Sequence, residues 1–382
     1  MLTWFDAVSE VFAGVGRELT QLLSDNQRAR ESWKTVLSVL LAVTLSFMRF
    51  GLDDAYWAAF AAFMVLRAGT GETIFRGFLR IVGTVVGGLT GWALAGLAAN
   101  RAELMLLAMM SIAFVSTFQF AVSPYFYAWM FFGLTAELVL TLTLASPQGI
   151  FLFVTVRVAE VAIGVTACVI ASLIFKLIWP VPNPAPAAAT GTSQKPLPLW
   201  RGLFDEDWLA EHRLPLTHAA RGAVAFAVLF LFWRVTELTS FVDSAVTSFM
   251  VLLVPGVAVR QGKDIAMTNR GAQRLVGCAL GGGFALAALS LFKDSFPLWL
   301  VALVAGVWIA AWVQNGTQGV SYAGSQFALA LFVTMVQSNG PPENLLPAWL
   351  RFQGVLIGAF VLCLVQGLWP LPAPESPKRV PT

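Results

Sequence analysis

Apolar residues fall along this chain in two trains of six runs. The first train occupies residues 33–50, 55–69, 79–99, 103–121, 125–145 and 150–178, and the second 220–236, 240–258, 271–292, 296–313, 319–337 and 345–369. Runs of this kind predict helices, and about 20 residues are needed to cross a bilayer, so flanking residues must complete the shorter spans. Between the trains, residues 181–218 become rich in Pro, Ala, Ser and Thr and then charged, which predicts a linker with one short surface helix near Trp200 to His212. Ahead of the first train, Leu2, Phe5, Val8, Phe12, Val15, Leu19, Leu22 and Leu23 recur at three- and four-residue steps among Asp6, Glu10, Glu18 and Asp25. That spacing predicts an amphipathic helix lying on a membrane surface or against a partner.

The two trains repeat in detail. Residues 76–91 read RGFLRIVGTVVGGLTG and residues 270–283 read RGAQRLVGCALGGG, so that Arg76, Gly77, Arg80, Val82, Gly83, Gly87 and Gly88 fall on Arg270, Gly271, Arg274, Val276, Gly277, Gly281 and Gly282 without a gap. Phe63 to Leu66 recurs as Phe249 to Leu252, Arg157 with Val161, Ile163 and Gly164 as Arg351 with Val355, Ile357 and Gly358, and each half closes on Trp-Pro, at Trp179 and Trp369. Such self-similarity marks an internal duplication. The expected plan is an amphipathic cytoplasmic segment over 1–31, a first six-helix membrane repeat over 32–180, a cytoplasmic linker over 181–218, a second six-helix repeat over 219–370 and a cytoplasmic tail over 371–382. The fold class is then an all-α membrane protein of about twelve transmembrane helices in two repeats of parallel topology. Within each duplicated block, arginines four apart share a helical face, and Gly83, Gly87 and Gly91, with Gly277 and Gly281, continue at the same interval. Small residues so spaced let a second helix approach closely where lipid removes the hydrophobic drive for association. Arg76, Arg80, Arg270 and Arg274 either set topology or order a cytoplasmic gate.

Composition agrees: 58% of the residues are hydrophobic, 12% are charged, and the mean hydropathy is +0.75. Soluble domains hold about 45–50% apolar and about 25% charged residues. The net charge of +3 says little about nucleic acid, and its placement says more. With the N-terminus in the cytoplasm, only Arg49, Arg101, Arg157, Arg234, Lys293 and Arg351 of the 24 basic residues fall towards the other side. The positive-inside rule therefore puts both termini in the cytoplasm. Two halves with an even number of spans enter from one side, and a pathway is expected at their interface.

Ionisable groups inside spans are costly, and each is a candidate for function. Glu137 sits in the middle of the fifth run with no basic neighbour within two turns. An acid so placed either bonds a neighbouring helix in its neutral form or exchanges protons with a cavity. Arg157 and Glu160 stand three apart and share a face, whereas the counterparts are Arg351 and Gly354. An arginine whose acid has been lost can bind a substrate carboxylate through its planar fork, or it can snorkel to water. Tyr127, Trp129 and Phe132 either belong to an interfacial aromatic belt or line a cavity for a planar ring, with Gln326 on a more polar wall in the other half.

Other chemistry lacks its motifs. There is no phosphate-binding loop, His212 and His218 stand alone in the linker, and Cys168, Cys278 and Cys363 lie in apolar runs without metal-ligand spacing. Neither an enzyme, a cofactor nor a metal is implied. The first residues also lack the basic start and apolar core of a cleavable signal.

The run Tyr56-Trp57-Ala58-Ala59, followed by FMVLRAGTGETIFRGFLRIVGTVVGG, resembles the fusaric acid resistance (FUSC) or aromatic acid exporter family. That family's repeat has a Tyr-Trp opening, an Arg-x-x-x-Arg-x-x-Gly-Thr-x-x-Gly core and a Trp-Pro close. The second copy has Cys278 in place of the threonine and no Tyr-Trp opening. The resemblance implies a bacterial inner-membrane exporter of aromatic or amphipathic organic acids, proton-driven and in some members working with a periplasmic adaptor and an outer-membrane channel. A related plant family forms dimeric anion channels, so a homo-oligomer is compatible with the resemblance. On this reading Arg157 and Arg351 contact the anion, with Tyr127, Trp129, Phe132 and Gln326 around it, while Glu137 and Glu160 carry protons. A passive organic-anion channel and a non-transporting membrane scaffold are the alternatives.

Overall fold

The computed structural model describes residues 4–22, 24–50, 55–98, 101–179, 206–262, 264–292, 294–336 and 346–371. Every regular element among them is helical. In chain order these are α1 (Trp4–Thr20), α2 (Asn26–Phe50), α3 (Ala55–Val65), α4 (Thr70–Leu97), α5 (Ala102–Val122), α6 (Phe126–Ala145), α7 (Ile150–Ile178), α8 (Glu206–Thr236), α9 (Phe241–Leu252), α10 (Gly256–Arg260), α11 (Ile265–Phe292), α12 (Phe296–Gln314), α13 (Ser321–Met335) and α14 (Leu346–Leu368).

Nine of the described helices are long and apolar enough to cross a membrane: α2, α4 to α8, α11, α12 and α14. The chain is a multi-pass membrane protein. The other three apolar runs depart from the expected full spans. Helices α3, α9 and α13 hold 11, 12 and 15 residues, and at 1.5 Å per residue they are only about 16 to 23 Å long. Phe60 to Val65 and Phe241 with Ser244 to Leu252 are all buried, so both α3 and α9 lie within the protein.

Corresponding helices in the two halves make corresponding contacts. Helix α4 crosses α6 as α11 crosses α13, and α3 lies on α7 as α9 lies on α14. Contacts between the halves match too: α2 meets α12 and α8 meets α5, while α3 meets α13 and α9 meets α6. Glycine explains how close these crossings are. A methyl group at Gly83 or Gly87 would run into the Ala128 or Phe132 carbonyl oxygen, and one at Gly277 or Gly281 into that of Ala323 or Phe327. Gly91 would meet Val139 and Ala136 on α6. Gly164 lies against the Ala58 carbonyl and Gly358 against that of Ser244.

The amphipathic helix is α1, and its apolar face lies on the protein itself. Ala7, Val11 and Val15 join Ala272, Val276, Val313 and Val320 of the second half. Buried Glu18 pairs with Arg28 at 2.6 Å and accepts from the Gln318 amide at 2.7 Å, and the Trp312 indole donates to the Glu18 carbonyl at 3.0 Å. Helix α8 begins at Glu206, so residues 206–218, assigned from composition to the linker, are the first turns of a membrane helix that runs through Pro215. The part of the expected surface helix over 200–205 lies outside the described residues, as does most of the linker.

Candidate functional site

A helix that stops inside a protein leaves carbonyl groups in need of donors. Cationic side chains, which also suit the negative end of the helix dipole, fill that need at both short helices. At α3 the Tyr127 hydroxyl donates to Met64 O at 3.3 Å, Arg67 Nη1 to Leu66 O at 2.6 Å and Lys34 Nζ to Arg67 O at 2.9 Å. At α9 Arg270 Nε donates to Met250 O at 2.8 Å, and His218 Nε2 lies 2.8 Å from Leu252 O, which makes Nε2 the protonated ring nitrogen.

The duplicated arginines stand beside these ends. Arg76 stacks on Tyr127 at 4.2 Å and Arg270 on Tyr322 at 4.0 Å, in corresponding positions. The second pair diverges. Arg274 is buried but held by polar side chains: Nε donates to Thr247 Oγ1 at 3.1 Å, and Nη1 to Gln326 Oε1 at 2.6 Å and the Tyr322 hydroxyl at 3.4 Å. Arg80 is 0% exposed and lies between rings, 3.9 Å from Phe131 and 5.5 Å from Phe60. None of its three guanidinium nitrogens has a hydrogen-bond partner among the described residues. The Tyr127 hydroxyl donates to Met64 O, and its oxygen also lies near enough to Arg80 to interact with the guanidinium. Phe131 occupies in the first half the place of Gln326 in the second, which the neighbouring correspondences of Tyr127 with Tyr322 and Ala128 with Ala323 fix.

Arg157 and Arg351 are both buried, at 1% and 7% exposure, and their surroundings differ. Arg157 lies 3.3 Å over Trp57 and lines a cleft of about 240 Å³ with Trp57, Leu152, Phe153 and Val156. The expectation that Arg351 has lost its acid is corrected: Arg351 Nη1 reaches Asp243 Oδ1 at 3.2 Å. The acid comes from the start of α9, at the position that Trp57 holds on α3, so the counter-ion moved to another helix. Glu160 is fully buried and accepts from the Ser46 hydroxyl.

Glu137 is 1% exposed on α6, beside the backbone of Ala113 on α5, and neither oxygen has a hydrogen-bond partner among the described residues. The aromatic trio does not form one wall. Tyr127 is buried under Arg76, while Trp129 and Phe132 are half-buried and meet edge to face at 5.4 Å. Sequence reasoning missed Phe131 and Phe60, and passed over Asp243 as a solvated charge at an outer helix end. The alignment of Tyr127 with Tyr322, extended by four residues, would have set Phe131 against Gln326.

Buried cations at the ends of paired short helices, inside a bundle of apolar spans, define a multi-pass membrane protein with polar groups held in its interior. Residues 29–195 match the family model described as Fusaric acid resistance protein family, and residues 244–365 match Fusaric acid resistance protein-like. The chain belongs to the fusaric acid resistance family. It is 30% identical over 165 residues to the p-hydroxybenzoic acid efflux pump subunit AaeB of Escherichia coli (strain K12), covering 39% of this chain and 24% of the relative. The protein of that name from Shigella boydii serotype 4 (strain Sb227) is 30% identical over 164 residues with the same coverage. The similarity thus spans about a quarter of the length of these curated relatives. No solved structure matches the chain.

Proposed function

We propose that this chain exports aromatic or amphipathic organic acids across the bacterial inner membrane in exchange for protons. In this reading twelve apolar helices form two six-helix repeats of parallel topology, with both termini in the cytoplasm. The observation that carries it is the pair of short, buried helices α3 and α9, in corresponding positions and each ending against a duplicated arginine pair. Interrupted helices so placed are the usual seat of binding in transporters built from repeats. The relatives' name, an efflux pump subunit for p-hydroxybenzoic acid, supports both the substrate class and work alongside further proteins such as a periplasmic adaptor.

The arginines divide the path. Arg76, Arg80, Arg270 and Arg274 order the cytoplasmic gate at the ends of the short helices, and Arg157, with its cleft, serves the outer end. The ion pair of Arg351 and Asp243 opens and closes at the corresponding place in the second half. Glu137, a buried acid on α6 beside the Ala113 backbone, carries the proton, and Glu160 assists.

Uptake of labelled p-hydroxybenzoate into inverted vesicles, with and without a pH gradient, tests the proposal. Gradient-driven uptake is expected in the native protein, and Glu137→Gln should reduce it to the level of empty vesicles at unchanged protein abundance. Native uptake indifferent to the gradient would eliminate proton coupling. Sustained single-channel current in a planar bilayer would replace the exporter with an anion channel.

A further inference from the structure

We propose that the membrane core holds one carboxylate site per chain, at Arg80, and that the duplicated arginine Arg274 is its structural counterpart and takes no ligand. The inference rests on the anion-transport reading for its purpose, while its test reads binding without transport.

Taking a guanidinium out of water is costly, and polar partners must offset that cost. At Arg274 the protein supplies them: Thr247 fills Nε, and Gln326 with Tyr322 fills Nη1. At Arg80 it supplies two aromatic faces, whose attraction for the cation offsets only part of that cost. None of the three nitrogens makes a well-formed hydrogen bond among the described residues, and the Tyr127 hydroxyl, already donating to Met64 O, is the polar side chain beside them. A fork of N–H groups so placed, backed by Phe131, matches a planar carboxylate, which can take two parallel bonds from it. Arg76, one helical turn away, adds positive charge on the same face.

The difference between the halves comes down to side-chain identity. Gln326 stands where Phe131 stands, and Thr247 where α3 carries Ala61, since Gly164 abuts Ala61 as Gly358 abuts Thr247. The duplication therefore made two equivalent arginine positions, of which the second is bonded by side chains of its own. Among the described residues a ligand competes at Arg80 against the Tyr127 hydroxyl and two ring faces, and at Arg274 against three hydrogen bonds.

Binding of labelled benzoate to the purified full chain in nanodiscs tests this. One saturable site per chain is expected. Arg80→Gln should weaken it at least tenfold. Phe131→Gln places beside Arg80 the acceptor that Arg274 already has, and it should weaken binding at least tenfold while leaving the melting temperature unchanged or raised. That second variant keeps the test decisive if Arg80→Gln does not fold. Two sites in the native chain, or Phe131→Gln affinity within threefold of native, would overturn the proposal. Vesicle flux measured in parallel separates the two readings: benzoate bound at Arg80 without flux removes the exporter and keeps the site, and flux indifferent to Phe131→Gln and Arg80→Gln removes the site and keeps the exporter.

Discussion

A guanidinium in a membrane protein is safe when its planar fork is occupied, and this chain occupies its forks in several ways. Arg274 uses neutral acceptors, Arg28 a carboxylate, an indole face and the Trp312 carbonyl, and Arg351 an aspartate. The Arg351–Asp243 pair is partly open, its side chains 9% and 30% exposed. Asp243→Asn should therefore destabilise the protein by about 1–3 kcal/mol, between the values for exposed and buried pairs. Adding Arg351→Leu should recover most of that loss, because the uncompensated charge goes with it. Thermal melts of the solubilised variants check both outcomes, and a double variant no better than the single one would show that the pair matters through some other contact. The fully buried pair of Glu18 and Arg28 is the stricter case, and Glu18→Gln should cost about 3–5 kcal/mol in the same measurement.

Among the helices, glycine decides how closely the elements meet. The crossing of α11 over α13 is set by Gly277 and Gly281, whose missing side chains admit the Ala323 and Phe327 carbonyls. Neighbouring Gly282 faces open space. Gly281→Ala must push backbone apart and is expected to cost about 1–3 kcal/mol as an overpacked contact. By contrast, Gly282→Ala should be neutral or stabilising by up to about 1 kcal/mol, since alanine loses less backbone freedom in a helix. Comparing the two melting temperatures checks the assignment, and equal shifts would refute it. The short helices α3 and α9 follow from the same logic: once their faces are buried on all sides, they need donors at their ends, which Arg67, Tyr127, Arg270 and His218 provide.

Across the whole molecule, the halves interlock. Each contributes its short helix to the other, α3 to α13 and α9 to α6, with Phe63 against Phe332 at 6.1 Å and the Phe249 ring against Gly133. The N-terminal helix α1 then ties the beginning of the chain to the second half through Glu18, Arg28 and Trp312. Halves bound in this way should move as one body unless the α3–α13 and α9–α6 contacts slide. The proposed topology makes a direct prediction in a cysteine-free background: Ser146→Cys, exposed between α6 and α7, should react with an impermeant maleimide from the periplasm, and Ser24→Cys, exposed before α2, only in inverted vesicles. The reverse pattern would invert the orientation of every residue assigned to a gate or a cleft.

The sequence by itself determined the membrane class, the duplication, the glycine crossings and the amphipathic first helix, because apolar run length and residue spacing act locally and survive without knowledge of neighbours. It marked Arg157, Glu160, Arg351 and Glu137 as costly groups for the same reason, and set Arg80 and Arg274 at the cytoplasmic face. Their partners were decided by the tertiary structure. Asp243 meets Arg351 across 108 residues of chain, Gln326 meets Arg274 across 52, and Phe131 faces Arg80 from another helix. The true lengths of α3, α9 and α13 were also beyond reach of the pattern, since a run of apolar residues reads alike whether it continues as helix or turns into a buried loop such as Leu253 and Val254. Spacing along a helix tells which side chains share a face, and only the fold tells what that face meets.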